Sequence, residues 1–313
     1  PEVPKSSQQD YSRGTKNLLT ELGPEKFAEW LKKEQKIHFT DTTMRDAHQS
    51  LLATRMRTYD MQKVAAHYAK SHPEIFSMEV WGGATFDVCM RFLKENPWER
   101  LRMFRKEMPN HLLQMLLRGS NGVGYTAYPD NLIERFVQES WENGIDLFPL
   151  SDSQNWMQSI APCIEHVRNK TNGLAEGAMC YTGDILDPAR TKYNLPYYLQ
   201  LAKDIENAGA HILAIKDMAG LLKPQAATEL ISALKSEISI PVHLHTHDTS
   251  SMQGATYMSA IEAGVDVVDV ALGGLSGLTS QPNFNTLSEL LKYHPRENKL
   301  DQESLSKHSI YWE

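Results

Sequence analysis

Eight short apolar runs, each followed by a stretch of 3.6-residue periodicity, leave few folds open to this chain. The runs are residues 37–40, 76–81, 112–117, 145–150, 174–180, 211–215, 241–246 and 265–271. The helical stretches are 59–70, 87–107, 130–143, 156–170, 196–208, 224–238, 251–263 and 284–293. Strands joined by helices pair in parallel, and eight such units over ~250 residues make a (β/α)8 barrel, the TIM-barrel fold. An open doubly wound sheet would place a glycine-rich phosphate turn after its first strand, where this chain has Thr40-Asp41-Thr42-Thr43. Gly144, Gly209 and Gly264 fall where helices should end, as C-caps do. The expected barrel covers residues 36–295. A lead-in at 1–35, with a short helix at 24–33, precedes it. Residues 296–313 follow as the start of a helical extension that is cut short, as in a piece of a longer protein.

With 313 residues, 41% of them hydrophobic and 23% charged, the chain can bury a sizeable core. Its formal charge of −7 and the lack of any Lys/Arg-rich run argue against a nucleic-acid partner. No apolar run approaches the ~18 residues of a membrane span, and the polar start has no signal-peptide core. Cys89, Cys163 and Cys180 are widely spaced and odd in number, which suggests buried thiols in a reducing compartment rather than a disulfide framework. A soluble cytoplasmic protein is the expectation.

In a barrel of parallel strands, chemistry collects where the strands end. The seventh run leads into His243-Leu244-His245-Thr246-His247-Asp248. Alternate side chains of a strand share a face, so the three imidazoles point one way. Two or three of them suit a metal, although a half-solvated strand face would read the same. The first run leads to Asp41, Arg45, Asp46 and Gln49, the second to Trp81-Gly82-Gly83 and Asp87, the third to Arg118 and Tyr125, and the sixth to Lys216-Asp217. Lys216 admits three roles. It can be a Schiff-base nucleophile or a salt-bridge partner of Asp217 or Asp46. Neutralised by carbon dioxide as a carbamate, it becomes an oxygen ligand beside Asp46, His245 and His247, a set that suits zinc or manganese. Arg45 and Arg118 can fork onto a small carboxylate, and either could instead be a structural ion pair. Joined to a metal and the Gln49 amide, they suggest enolate chemistry on a 2-oxo acid.

At these residues the sequence resembles the carboxyltransferase domain of the pyruvate carboxylases, within the biotin-dependent carboxylase family. The resemblance rests on residues 42–55, centred on Met44-Arg45-Asp46-Ala47-His48-Gln49, and on Trp81-Gly82-Gly83-Ala84-Thr85-Phe86-Asp87. It continues through residues 114–119, Cys180-Tyr181-Thr182-Gly183-Asp184, Ile215-Lys216-Asp217-Met218 and His245-Thr246-His247-Asp248. Biotin-dependent oxaloacetate decarboxylases and transcarboxylases share the barrel, but Asn96-Pro97-Trp98-Glu99-Arg100-Leu101 after the Trp-Gly-Gly stretch is most like the pyruvate carboxylases. The resemblance implies a divalent metal held by Asp46, His245, His247 and carbamylated Lys216. It implies pyruvate or its enolate on Arg45, Gln49 and Arg118, with Arg45, Gln49 and Lys216 as the catalytic groups, and Tyr125 and Asp87 near incoming carboxybiotin. Oxaloacetate is the implied product, with roles in anaplerosis and gluconeogenesis. Assembly as a homo-oligomer, a tetramer in the full protein, is implied as well.

No ATP-binding glycine-rich loop and no Ala-Met-Lys-Met biotin-attachment motif occur here, so the biotin carboxylase and biotin-carrier domains must lie outside this chain. The family's proton-shuttling threonine belongs to a later part of its domain. Phe148-Pro149-Leu150-Ser151-Asp152-Ser153 stands where relatives usually read Phe-Arg-Ile-Phe-Asp-Ser, and Ser251, Ala127 and Gly273-Gly274 replace a glycine, an asparagine and an acidic-polar pair. A proline inside a central strand removes a ladder donor. Two other readings remain: a carbon–carbon lyase resembling 3-hydroxy-3-methylglutaryl-CoA lyase, which needs no carbamate, and a catalytically impaired assembly scaffold.

Overall fold

A computed structural model describes residues 2–313. Eight parallel strands close into a barrel in chain order: β1 (His38–Asp41), β2 (Ser77–Gly82), β3 (Leu112–Leu116), β4 (Leu147–Ser151), β5 (Leu174–Cys180), β6 (Ile212–Asp217), β7 (Val242–Thr246) and β8 (Val267–Val270). β1 pairs with β8 to complete the ring. Each strand lies within about two residues of its expected bounds, because buried β-branched and aromatic runs bounded by turn residues leave little choice of register.

Helices α1 (Thr15–Lys33), α2 (His48–Leu52), α3 (Thr58–Ser71), α4 (Gly83–Val88), α5 (Pro97–Glu107), α6 (Asp130–Glu142), α7 (Met157–Lys170), α8 (Leu195–Asn207), α9 (Pro224–Glu237), α10 (Gln253–Glu262), α11 (Phe284–Leu290) and α12 (Gln302–Tyr311) complete the chain. The expected helix at 87–107 is two. Lys94 adopts a left-handed φ of 57°, and Asn96 accepts from Trp98 N at 2.9 Å to cap a new start before Pro97. The lead-in helix begins earlier than expected and kinks at Gly23, whose φ of 74° precedes Pro24. Gly144, Gly209 and Gly264 do end helices, each with positive φ. The C-terminal segment packs rather than trails: Leu305 of α12 is fully buried.

The lumen is layered. At the end where the strands begin, Phe76, Leu112, Leu147, Leu174, Ile212 and Val267 form an apolar floor, covered by Leu19, Phe27 and Leu31 of α1. Above it lie polar side chains in place of the usual branched aliphatics. Thr40, Ser77 and Gln114 are hydrogen-bonded across β1, β2 and β3, and Glu176, His243 and Asp269 across β5, β7 and β8. The candidate site crowns this polar layer.

The unusual residues have local explanations. Leu117 N donates to Pro149 O and Ser151 N to Leu117 O, so β4 still holds β3, but Pro149 has no N–H to offer β3 just ahead of those bonds. Regular β3–β4 pairing accordingly shrinks to Gln114 with Leu147 and an isolated bridge of Leu117 with Leu150. Pro149 remains in register with Glu176 of β5. Gly273 and Gly274 face α12 rather than the lumen. A Cβ on Gly274 would come within 2.9 Å of the Trp312 carbonyl carbon, so the glycine permits the helix's close approach. Ser251 holds φ at 56°, which explains the glycine usual there. The three cysteines are unpaired, and among the described residues no helix is long and apolar enough to cross a membrane.

Candidate active site

The chain leaves β1 through a single π-helical turn, Thr43–Ala47, in which Ala47 N reaches back to Thr42 O at 3.2 Å. Such one-turn π segments recur at functional sites because they re-aim side chains. Asp41, expected among the polar strand-end groups, anchors the turn by accepting from Thr43 N and Tyr68 Oη. The turn puts Arg45 and Asp46, both 2% exposed, over the lumen.

Asp46, His245 and His247 offer ligand atoms that all lie within 4.8 Å of one another. Asp46 Oδ2 is 3.4 Å from Nε2 of each histidine. Both rings are turned by their other nitrogen: His245 Nδ1 to Asp269 Oδ2 at 2.6 Å, and His247 Nδ1 to Thr279 O at 2.6 Å. His245 Nε2 is buried with no hydrogen-bond partner. A buried nitrogen without a partner, facing a carboxylate and a second imidazole, fits a divalent cation. Burial and the Lys216 ammonium push His245 down to about 4, so its imidazole is neutral, as a ligand must be. Burial opposes ionisation of Asp46, but Arg45 and His247 outweigh it and hold the carboxyl well below its usual range.

His243 shares the strand face with His245 and His247 but does not join them. It sits deeper, bound to Glu176 and Asp269, and the two carboxylates overcome its burial and push it up to about 10. Lys216 is 5% exposed and lines the cavity, and among the described residues it makes no ion pair. The salt bridge to Asp217 considered for it is absent. Asp217 points into its own loop, accepting from Ala219 N, Leu221 N, Leu222 N and Thr246 Oγ1.

The two arginines differ. Arg45 is committed inside the protein: its guanidinium pairs with Glu79, lies 3.3 Å from Asp46 Oδ1 and donates to Gln49 Oε1 at 3.2 Å. That bond occupies the amide oxygen of Gln49 and leaves its NH2 as a donor. Arg118 is half-buried; among the described residues its guanidinium makes one hydrogen bond, to Gly124 O at 3.3 Å, and it faces a cavity of about 230 Å³. Arg45, Gln49, Asp46 and Lys216 share that cavity wall with Ser151, Asp152, Ser153 and Cys180. Tyr125 and Asp87 are outside the wall. Tyr125 is 76% exposed with its ring centroid 5.2 Å from Arg118 Cζ, and Asp87 pairs with Arg91 at 3.0 Å.

Residues 150–309, just over half of the chain, match the HMGL-like family. The chain belongs to that family. It is 56% identical over 305 residues to pyruvate carboxylase of Bacillus subtilis (strain 168), a match covering 97% of this chain and 26% of that protein. It superposes on the carboxyl transferase domain of Rhizobium etli pyruvate carboxylase with pyruvate at a TM-score of 0.98 and 53% identity, covering 100% of this chain and 53% of that one. The same domain with pyruvate and biocytin gives the same TM-score, 0.98, and the same identity, 53%. This HMGL-like chain is thus a pyruvate carboxylase homologue, and it spans about a quarter of the length of the curated relatives it matches.

Several residues of the site escaped the sequence reading. Gln281 donates to Asp46 Oδ2 at 2.9 Å and is itself oriented by Thr42 Oγ1, 2.7 Å from its amide oxygen. Asp269, Glu79 and Glu176 are the carboxylates that orient His245, Arg45 and His243. All four lie inside apolar or ordinary-looking runs. The only available signal was an acidic or amide residue in the middle of a buried strand or turn.

Proposed function

We propose that this chain carries the carboxyl-transfer half-reaction of a biotin-dependent pyruvate carboxylase, moving the carboxyl group from carboxybiotin to pyruvate to give oxaloacetate. The observation that carries this reading is the convergence of Asp46, His245 and His247 beside a buried lysine, under a cavity lined by the Arg118 guanidinium, neither cation having an acidic partner among the described residues. Asp46, His245, His247 and Lys216 as its carbamate would hold manganese or zinc. When bound, the ion supplies positive charge to the substrate oxygen that becomes negative as the enolate forms.

The chain's own groups do the rest. Arg118 takes the carboxylate of pyruvate in a two-point fork. The Gln49 NH2, aligned by Arg45, donates to the keto oxygen, and the Arg45 charge further favours the enolate. Carboxybiotin, held near Tyr125 and Asp87, releases carbon dioxide. The enolate carbon bonds to it, and the methyl proton of pyruvate ends on the biotin nitrogen that lost its carboxyl group. In this reading residues 36–295 form the catalytic barrel, flanked by 1–35 and 296–313. The biotin carboxylase and biotin-carrier domains belong to the longer protein, a cytoplasmic homotetramer.

Lys216 decides between this reading and a lyase-type site, which the HMGL-like match also accommodates. Protein equilibrated with 13C-labelled bicarbonate should show a carbamate carbon resonance that Lys216→Ala removes together with bound metal. A lyase-type site would give no such resonance, and Lys216→Ala would keep the metal.

A further inference from the structure

A chain of four buried side chains runs through the lumen to the candidate metal site. Glu176 of β5 accepts from His243 Nδ1 at 2.9 Å, and His243 Nε2 meets Asp269 Oδ1 at 2.5 Å. Asp269 Oδ2 accepts from His245 Nδ1 at 2.6 Å. Each of the four is at most 4% exposed, so bulk solvent does not reach these bonds. Space for the chain comes from β6, where Ala214, in register with His243, is too small to fill the lumen between β5 and β7. Strand β4 contributes no polar group at this level, since Pro149 is the residue in register with Glu176. Among the described residues, His243 is therefore the only side chain that hydrogen-bonds the Glu176 carboxylate. Tyr257 Oη braces the same place by donating to Asp269 O at 2.6 Å.

The last link acts on a ligand. A carboxylate at Nδ1 requires the proton there, which leaves the lone pair on Nε2, the atom without a partner that faces Asp46. Asp269 cannot rotate away, because its other oxygen is held by His243, whose ring is held in turn by Glu176. We propose that Asp269 is a positioning residue that fixes the tautomer and ring plane of His245 for metal binding, and that His243 and Glu176 lock Asp269 from within the barrel. The proposal rests on the metal site described under Proposed function.

Cobalt(II) titration of the metal-stripped chain tests both and separates them. If the unaltered protein binds no cobalt, the metal reading itself fails. If it binds, Asp269→Asn should weaken affinity about 10- to 100-fold and alter the visible d–d spectrum, with secondary structure by circular dichroism retained. Glu176→Gln should give a smaller loss in the same direction. Wild-type affinity and spectrum in Asp269→Asn would overturn the positioning role, and wild-type affinity in Glu176→Gln would overturn the lock. Should Asp269→Asn fail to fold, 15N-histidine spectra of the unaltered metal-free protein decide: His245 must carry its proton on Nδ1, and the opposite tautomer refutes the proposal.

Discussion

The two arginines expected to share one task are physically unlike. Arg45 is 2% exposed and neutralises Glu79 deep in the site, so Arg45→Met would strand a buried carboxylate. We predict a loss of about 3–5 kcal/mol in urea denaturation, the usual cost of removing one partner of a buried pair. The Arg118 guanidinium donates to Gly124 O, makes no ion pair among the described residues, and is half-buried. Arg118→Gln should leave stability within about 0.5 kcal/mol while abolishing pyruvate or oxalate binding in calorimetry. Unaltered binding would move the carboxylate fork elsewhere. Their residue type and strand-end position were legible in the sequence. Their division of labour was not, because Glu79 sits in an apolar strand a whole helix away from Arg45.

The lead-in helix α1 reads as an appendage but serves as the floor of the barrel. Phe27 is fully buried against Phe76, with an interplanar angle of 36° and ring centroids 6.0 Å apart. Phe27→Ala should cost about 3–5 kcal/mol, measurable as a shift in urea midpoint, because the rigid floor cannot collapse into the cavity left behind. At β4 the expected weakness is real but local. The ladder to β3 is thinned beside Pro149, while β5 pairs β6 through five consecutive register positions. Amide exchange should therefore report lower opening free energies for Leu117 and Ser151 than for the β5–β6 amides. Equal protection would show that packing alone secures β4. The kink in α1 and the break before α5 were written in Gly23-Pro24 and Asn96-Pro97. The docking of α1 and α12 was not, since a helix's periodicity shows that it has an apolar face and not what covers it.

Stability of the molecule as a whole should depend on buried imidazoles. Burial holds His111, His211 and His308 down to about 4 and His48 down to about 3. Unfolded histidine takes up its proton near pH 6.5. Between the two values the unfolded chain binds more protons, so stability falls as pH drops from about 6.5 towards 4 and levels off below. His243 acts oppositely. Raised to about 10, its contribution is complete below the unfolded value and is lost as pH climbs through the folded one. Maximal stability near neutrality follows. Urea midpoints across pH should trace this dome, and His111→Gln, which keeps a donor towards His72 O but cannot titrate, should flatten the acid limb by about one proton. An unchanged limb would show that His111 does not hold its neutral form.

By itself the sequence determined eight strand-helix units, the closure they imply, and the strand-end candidates among which Asp46, His243, His245 and His247 stand. These rest on local periodicity, on strand alternation and on the rule that strand ends carry chemistry, all of which act within a few residues. Only the tertiary structure decided which same-face histidine reaches the rim. His243 and His245 are indistinguishable by alternation, yet β5 and β8 bring Glu176 and Asp269 to His243 and leave His245 Nε2 without a partner. It also turned Asp217 into a loop anchor, gave Asp46 the support of Gln281, and sent Gly273-Gly274 towards α12. Apart from the Asp217 loop, whose amide donors lie within five residues of it, each of these depends on a partner brought from a distant part of the chain, and no short window of sequence contains both members of such a pair.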